Sequence, residues 1–113
     1  MIAHLVFFKW KEGTEKNEID RALSSLRQLK TKCLGIIDIK TGENFSSWSE
    51  GFTHGLMVLA KDRKALEEYR LHPAHTKLVK EIEKLQERTI AVDFEDYNET
   101  PKGKQAGIPA ENC

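Results

Sequence analysis

Apolar and polar positions along the chain change period several times, and each change marks an element. Ile2 to Trp10 alternates as a strand, with Ile2, His4, Val6, Phe8 and Trp10 on one side and Ala3, Leu5, Phe7 and Lys9 on the other. Both sides are largely apolar, which predicts that both are covered. Gly13 closes a turn, and Thr14 is the expected N-cap of the next element. From Glu15 to Lys32 the apolar residues Ile19, Ala22, Leu23, Leu26 and Leu29 recur at helical spacing. Gly35 stops that helix.

A second strand is predicted over Ile36 to Thr41, followed by a polar loop from Glu43 to Gly51 that carries Trp48. Phe52 to Ala60 reads as a third strand, with Phe52, His54, Leu56, Val58 and Ala60 on one face. Asp62 suits the N-cap of a helix running from Arg63 towards Leu71. Pro73 lacks a backbone donor and restricts His72, so a break is expected there. Leu78, Val79, Ile82 and Leu85 then mark a second helical piece, and Thr89 to Tyr97 reads as the last strand.

The order strand, helix, strand, strand, helix, strand predicts an α+β fold of the ferredoxin-like βαββαβ type, a four-stranded antiparallel sheet with helices on one face. The other face needs a cover as well. One domain, expected over residues 1–99, offers none. A second copy is the simplest cover, so a homodimer joined through the sheet, a dimeric α/β barrel, is predicted. Residues 100–113, poor in apolar groups and containing two prolines, read as a flexible polar tail.

Composition narrows the partners. The 113 residues hold 18 Lys plus Arg against 18 Asp plus Glu, so charge gives no reason to expect nucleic acid or an anionic membrane as partner. The apolar run Ile2 to Phe8 is too short to span a bilayer, and no signal-peptide pattern precedes it, so a cytoplasmic location is expected. Cys33 and Cys113 form neither a disulfide framework nor a metal cluster, and Cys33 is expected to be a small buried apolar residue. No phosphate loop or nucleophile elbow occurs, and no metal or other cofactor is expected.

The candidate chemistry lies in the four histidines, His4, His54, His72 and His75, and in Tyr69. His4 and His54 sit on strands that neighbour each other in this fold and share a face if register permits. The plainer alternative makes each a hydrogen-bonded histidine of a half-buried sheet. At the proline break, His72 and His75 could cap the two helical pieces or contact a ligand.

The segments Gly51-Phe52-Thr53-His54-Gly55, Tyr69-x-x-His72-Pro73-Ala74-His75, Gly42-Glu43-Asn44-Phe45-Ser46 and Val92-Asp93-Phe94-Glu95, with the strand around His4, resemble the stress-responsive A/B barrel domain family. The resemblance covers about residues 1 to 97. It implies a homodimeric barrel with a small apolar ligand pocket between each sheet and its helices. Most members have no assigned reaction, and plant members are associated with stress responses. One plant member is a cofactor-independent polyketide cyclase whose catalytic tyrosine and histidine fall at Tyr69 and His75, and whose pocket histidines fall at His4 and His54. The resemblance therefore implies His75 as base and Tyr69 as hydrogen-bond donor for an intramolecular aldol closure, with His4 and His54 orienting. A pocket protein with an unknown ligand is the first expectation, such an enzyme the second, and a purely structural or stress-protective oligomer the third.

Overall fold

The elements form in the predicted order. A computed structural model describes residues 1–96. It contains β1 (Ile2–Trp10), α1 (Lys16–Gln28) running into a 3-10 turn at Leu29–Thr31, β2 (Ile36–Glu43), β3 (His54–Ala60), α2 (Arg63–Leu71), α3 (Pro73–Glu83) and β4 (Gln86–Glu95). The expected tail at 100–113, Cys113 included, lies outside the described residues.

The four strands pair antiparallel in the order β2-β3-β1-β4. This is the ferredoxin-like fold. His4 pairs with Val58 and Phe8 with His54 on one side of β1, while Leu5 pairs with Val92 and Phe7 with Ile90 on the other. Directly opposed residues share a face, so the even positions of β1 share theirs with Leu56, Val58 and Ala60. That face receives the helices. Ile19, Leu23 and Leu26 of α1, Leu66 and Tyr69 of α2 and Ile82 of α3 bury themselves against it, with Val58 and Ala60 fully enclosed. Cys33 is free and buried in this core, and its desolvation pushes the thiol up.

Local details differ at the element ends. Thr14 does not cap α1: its hydroxyl donates to the Lys11 carbonyl. Glu15 takes that place, reciprocating with Glu18 in a capping box. Asp62 caps α2 as expected, accepting from the Ala65 N–H at 2.8 Å. Gly35 has φ +83 and lies so close to α2 that a Cβ there would sit 2.6 Å from the Ala65 Cβ. The turn thus fixes how closely α2 approaches the end of β2.

The odd face of the sheet is open. Phe7, Ile90, Val92 and Phe94 stand on it 36%, 38%, 42% and 49% exposed. No helix of the described residues is long and apolar enough to cross a membrane.

Candidate functional site

The proline break assembles the main cluster. In a continuous helix Tyr69 and His75, six residues apart, would point about 120° away from each other. His72 instead adopts an extended backbone with φ −62 and ψ 133, and Pro73 starts α3 in a new direction. The Tyr69 and His75 rings then lie 4.6 Å apart, centroid to centroid. His72 itself serves the junction: its Nδ1 accepts from the Ala74 N–H at 3.0 Å, capping α3.

His4 reaches the same cluster from β1, its ring edge-on to Tyr69 at 6.4 Å. Like Tyr69 it is buried, with 7% of its surface exposed. Its Nδ1 bonds to an Asp93 carboxylate oxygen, and the other oxygen of Asp93 accepts from Arg70. A carboxylate only accepts, so His4 Nδ1 carries the proton and Nε2 faces away from Asp93. Burial pushes the Asp93 carboxyl up, but the His4 hydrogen bond and the charges of His4 and Arg70 outweigh it and hold the group below the usual carboxylate range.

His75 has a defined tautomer for the same reason. Its Nδ1 lies 3.1 Å from the Arg70 carbonyl oxygen, which can only accept, so the proton sits on Nδ1 and Nε2 keeps its lone pair. Desolvation holds the His75 pKa below its ordinary value, against the opposing pull of that carbonyl. The ring is therefore neutral near pH 7 and able to accept a proton at Nε2. Tyr69 is fully buried, and its hydroxyl has no hydrogen-bond partner. Desolvation drives its pKa far above the ordinary value, so it is a donor at any physiological pH.

His54 does not join this cluster. It shares the helix-facing side of the sheet with His4, but the register sets the two four positions apart, about 14 Å along the strands. Trp10 donates its indole N–H to His54 Nδ1 at 2.9 Å, and the Thr53 hydroxyl lies 2.8 Å from the same atom. Trp10 stacks in turn on Phe8 at 4.9 Å. The His54 proton accordingly sits on Nε2, and burial lowers its pKa. A polar cleft of about 220 Å³ adjoins it, lined also by Asp20, Arg27 and Glu43. A larger groove, about 640 Å³, lies on the open sheet face beneath the 44–50 loop.

Sequence reasoning passed over Asp93 and Arg70. The available signal was Asp93 itself, an acid in a strand whose neighbours Val92 and Phe94 point the other way. Among the described residues no group of three or more His, Cys, Asp or Glu is placed to hold a metal ion.

The Tyr-x-x-His-Pro-x-His string thus folds into a helix junction, and the sequence matches the Stress responsive A/B Barrel Domain model over residues 2–96. The chain belongs to the stress-responsive A/B barrel domain family. Three solved structures show its relationship to other members of the fold. A protein of Arabidopsis thaliana superposes with a TM-score of 0.80 at 18% identity, covering 85% of this chain and 95% of that one. A hydroxynitrile lyase from Passiflora edulis gives 0.79 at 17%, covering 88% and 96%. A dimeric ferredoxin-like protein of unknown function from Jannaschia sp. CCS1 gives 0.76 at 24%, covering 84% and 98%. At these identities the likeness is one of fold. No curated protein matches this A/B barrel sequence.

Proposed function

We propose that this protein acts as a homodimer joined through its open sheet face and binds a small, largely apolar ligand through an oxygen atom at the His4, Tyr69 and His75 cluster, in the cytoplasm and without a cofactor. The fully buried, unpartnered Tyr69 hydroxyl carries this reading. A buried donor without an acceptor costs free energy that a ligand carbonyl or hydroxyl oxygen would recover. The neutral His75 Nε2 beside it offers the complementary acceptor. His54 and His72, engaged elsewhere, have no direct part in it.

The His75 tautomer favours a second reading, cofactor-independent acid–base catalysis of the aldol type. His75 Nε2 takes a proton from the carbon next to a carbonyl. The electron pair moves onto the carbonyl oxygen, which the Tyr69 O–H stabilises. The carbanionic carbon then bonds to a second carbonyl carbon of the same molecule, and that oxygen takes the proton back from His75. A hydroxynitrile lyase with this fold supports the view that such a scaffold can carry an enzyme.

One experiment addresses both readings, with 2-heptanone as the ligand. It should raise the melting temperature of the native protein and not that of Tyr69→Phe. If the site is catalytic, α-proton exchange of the ketone in D2O, followed by NMR, should exceed that of imidazole at equal concentration. His75→Ala should then lower it about 100-fold or more while leaving the circular dichroism spectrum intact. Exchange no faster than imidazole removes the enzyme reading. An unfolded His75→Ala with no thermal shift from the ketone leaves only a structural or stress-protective oligomer.

A further inference from the structure

Whatever settles in the His4, Tyr69 and His75 cluster has to answer two groups of opposite kind. The Tyr69 hydroxyl is a buried donor without an acceptor. His75 is an acceptor at Nε2, because the Arg70 carbonyl holds its proton on Nδ1. The two rings lie 4.6 Å apart. A ketone accepts from Tyr69 and offers His75 nothing. A hydroxyl can serve both only through a single oxygen. A carboxylic acid serves them through two, its carbonyl oxygen accepting from Tyr69 and its O–H donating to His75. A primary amide presents the same pair of roles without an acidic proton.

The groups that face His75 decide between acid and amide. They are Arg70 and Tyr69 of α2, His72 of the junction and His4 of β1. None is an acid. Asp93 of β4, the acid of the cluster, is already occupied, with one oxygen on His4 and the other on Arg70. A ligand acid that gives its proton to His75 breaks its O–H bond, forms an N–H bond at Nε2 and becomes a carboxylate beside an imidazolium. Both hydrogen bonds are then charge-assisted, roughly twice as strong as those an amide makes. The pair is neutral as a whole, so it brings no uncompensated charge into the cluster. Carboxylic acids are ionised in water at pH 7. His75 is neutral there, because burial holds it below its ordinary value. The complex therefore takes one proton from solution, whichever partner keeps it.

We infer that the ligand of this cluster is a monocarboxylic acid with an apolar remainder, held through its two oxygens by Tyr69 and His75 and bound together with one proton. The inference rests on the oxygen-binding reading above and names the ligand class.

Three seven-carbon compounds test it on the full chain by titration calorimetry: heptanoate, heptanamide and 2-heptanone. At pH 6 heptanoate should bind about tenfold more tightly than heptanamide. Repeated near pH 7.5 in phosphate and in Tris, which differ in ionisation enthalpy, the heptanoate titration should show uptake of about one proton per site. Its dissociation constant should rise about tenfold from pH 7 to pH 8, while those of the two neutral compounds stay level. His75→Ala should abolish the proton uptake. Should that variant fail to fold, the imidazole C–H signals of the native protein give the same answer, since saturating heptanoate should raise the pKa of His75. Heptanoate bound without proton uptake, or no more tightly than heptanamide at pH 6, overturns the inference, and binding of 2-heptanone then leaves the oxygen-binding reading in place. Uptake that survives in His75→Ala assigns the proton to another group and overturns the inference as well. If none of the three compounds binds, the reading and the inference fall together.

Discussion

Replacing Tyr69 by phenylalanine should make the protein more stable. The ring stays, so the packing against the core persists, and only the hydroxyl is lost. That hydroxyl is fully buried and without a partner. Burying an unsatisfied hydroxyl costs about 1–3 kcal/mol, and the small void left by the missing oxygen returns part of the gain. A net stabilisation of about 1–2 kcal/mol is expected. For a domain of this size each kcal/mol raises the melting temperature by about 4–8 °C. Urea unfolding at fixed protomer concentration is the appropriate assay, because a dimer's apparent stability depends on concentration. The midpoint should rise by roughly 0.5–1 M with an unchanged slope. The same variant should lose its response to 2-heptanone, so stability and binding should move in opposite directions. A Tyr69→Phe protein no more stable than the native one would refute the reasoning. The hydroxyl would then have a partner in the free protein, and the proposed ligand site would lose the observation that supports it.

Two further outcomes follow from the core. His75 and His54 both have pKa values held below the ordinary 6.5, chiefly by burial. In the window just below that value the unfolded chain binds more protons than the folded one, so stability is full above about pH 6.5 and falls as pH drops towards the folded pKa values. Asp93, also lowered, adds a loss below its ordinary 3.8. Urea midpoints should therefore decline between pH 7 and pH 5, and a flat profile would contradict the burial of both rings. Gly35→Ala should cost more than about 2 kcal/mol, through positive φ and the collision with Ala65; a midpoint close to native would show that α2 can move away.

Much of the fold could be read from the chain because period, caps and breakers agree. The doubly apolar β1, the helical stripe of α1 and the stop at Pro73 each follow from local rules. The ends were less legible. β4 starts at Gln86, before the predicted Thr89, because the Lys11 N–H donates to the Leu85 carbonyl and leads the polar residues 86–88 into pairing with β1. Nothing in their polarity announces that. The shared face of His4 and His54 was readable from parity alone, but their distance was not, since it depends on which residue of β3 meets which of β1. The partners of His4 were hidden for a similar reason. Asp93 comes from a strand 89 positions away in sequence, and Arg70 sits beside Tyr69 in sequence yet reaches out to β4.

The junction at Pro73 also carries a consequence for how this sequence can vary. Tyr69 and His75 meet because a helix ends, one extended residue intervenes and another helix begins. An insertion or deletion of one residue between them would rotate one ring by about a quarter turn and part the pair, even if every side chain were retained. The interval from Tyr69 to His75 therefore behaves as a fixed-length unit. An outward-facing residue such as Leu71, which is 70% exposed, can be exchanged without parting the two rings, whereas a change of length cannot be made without it.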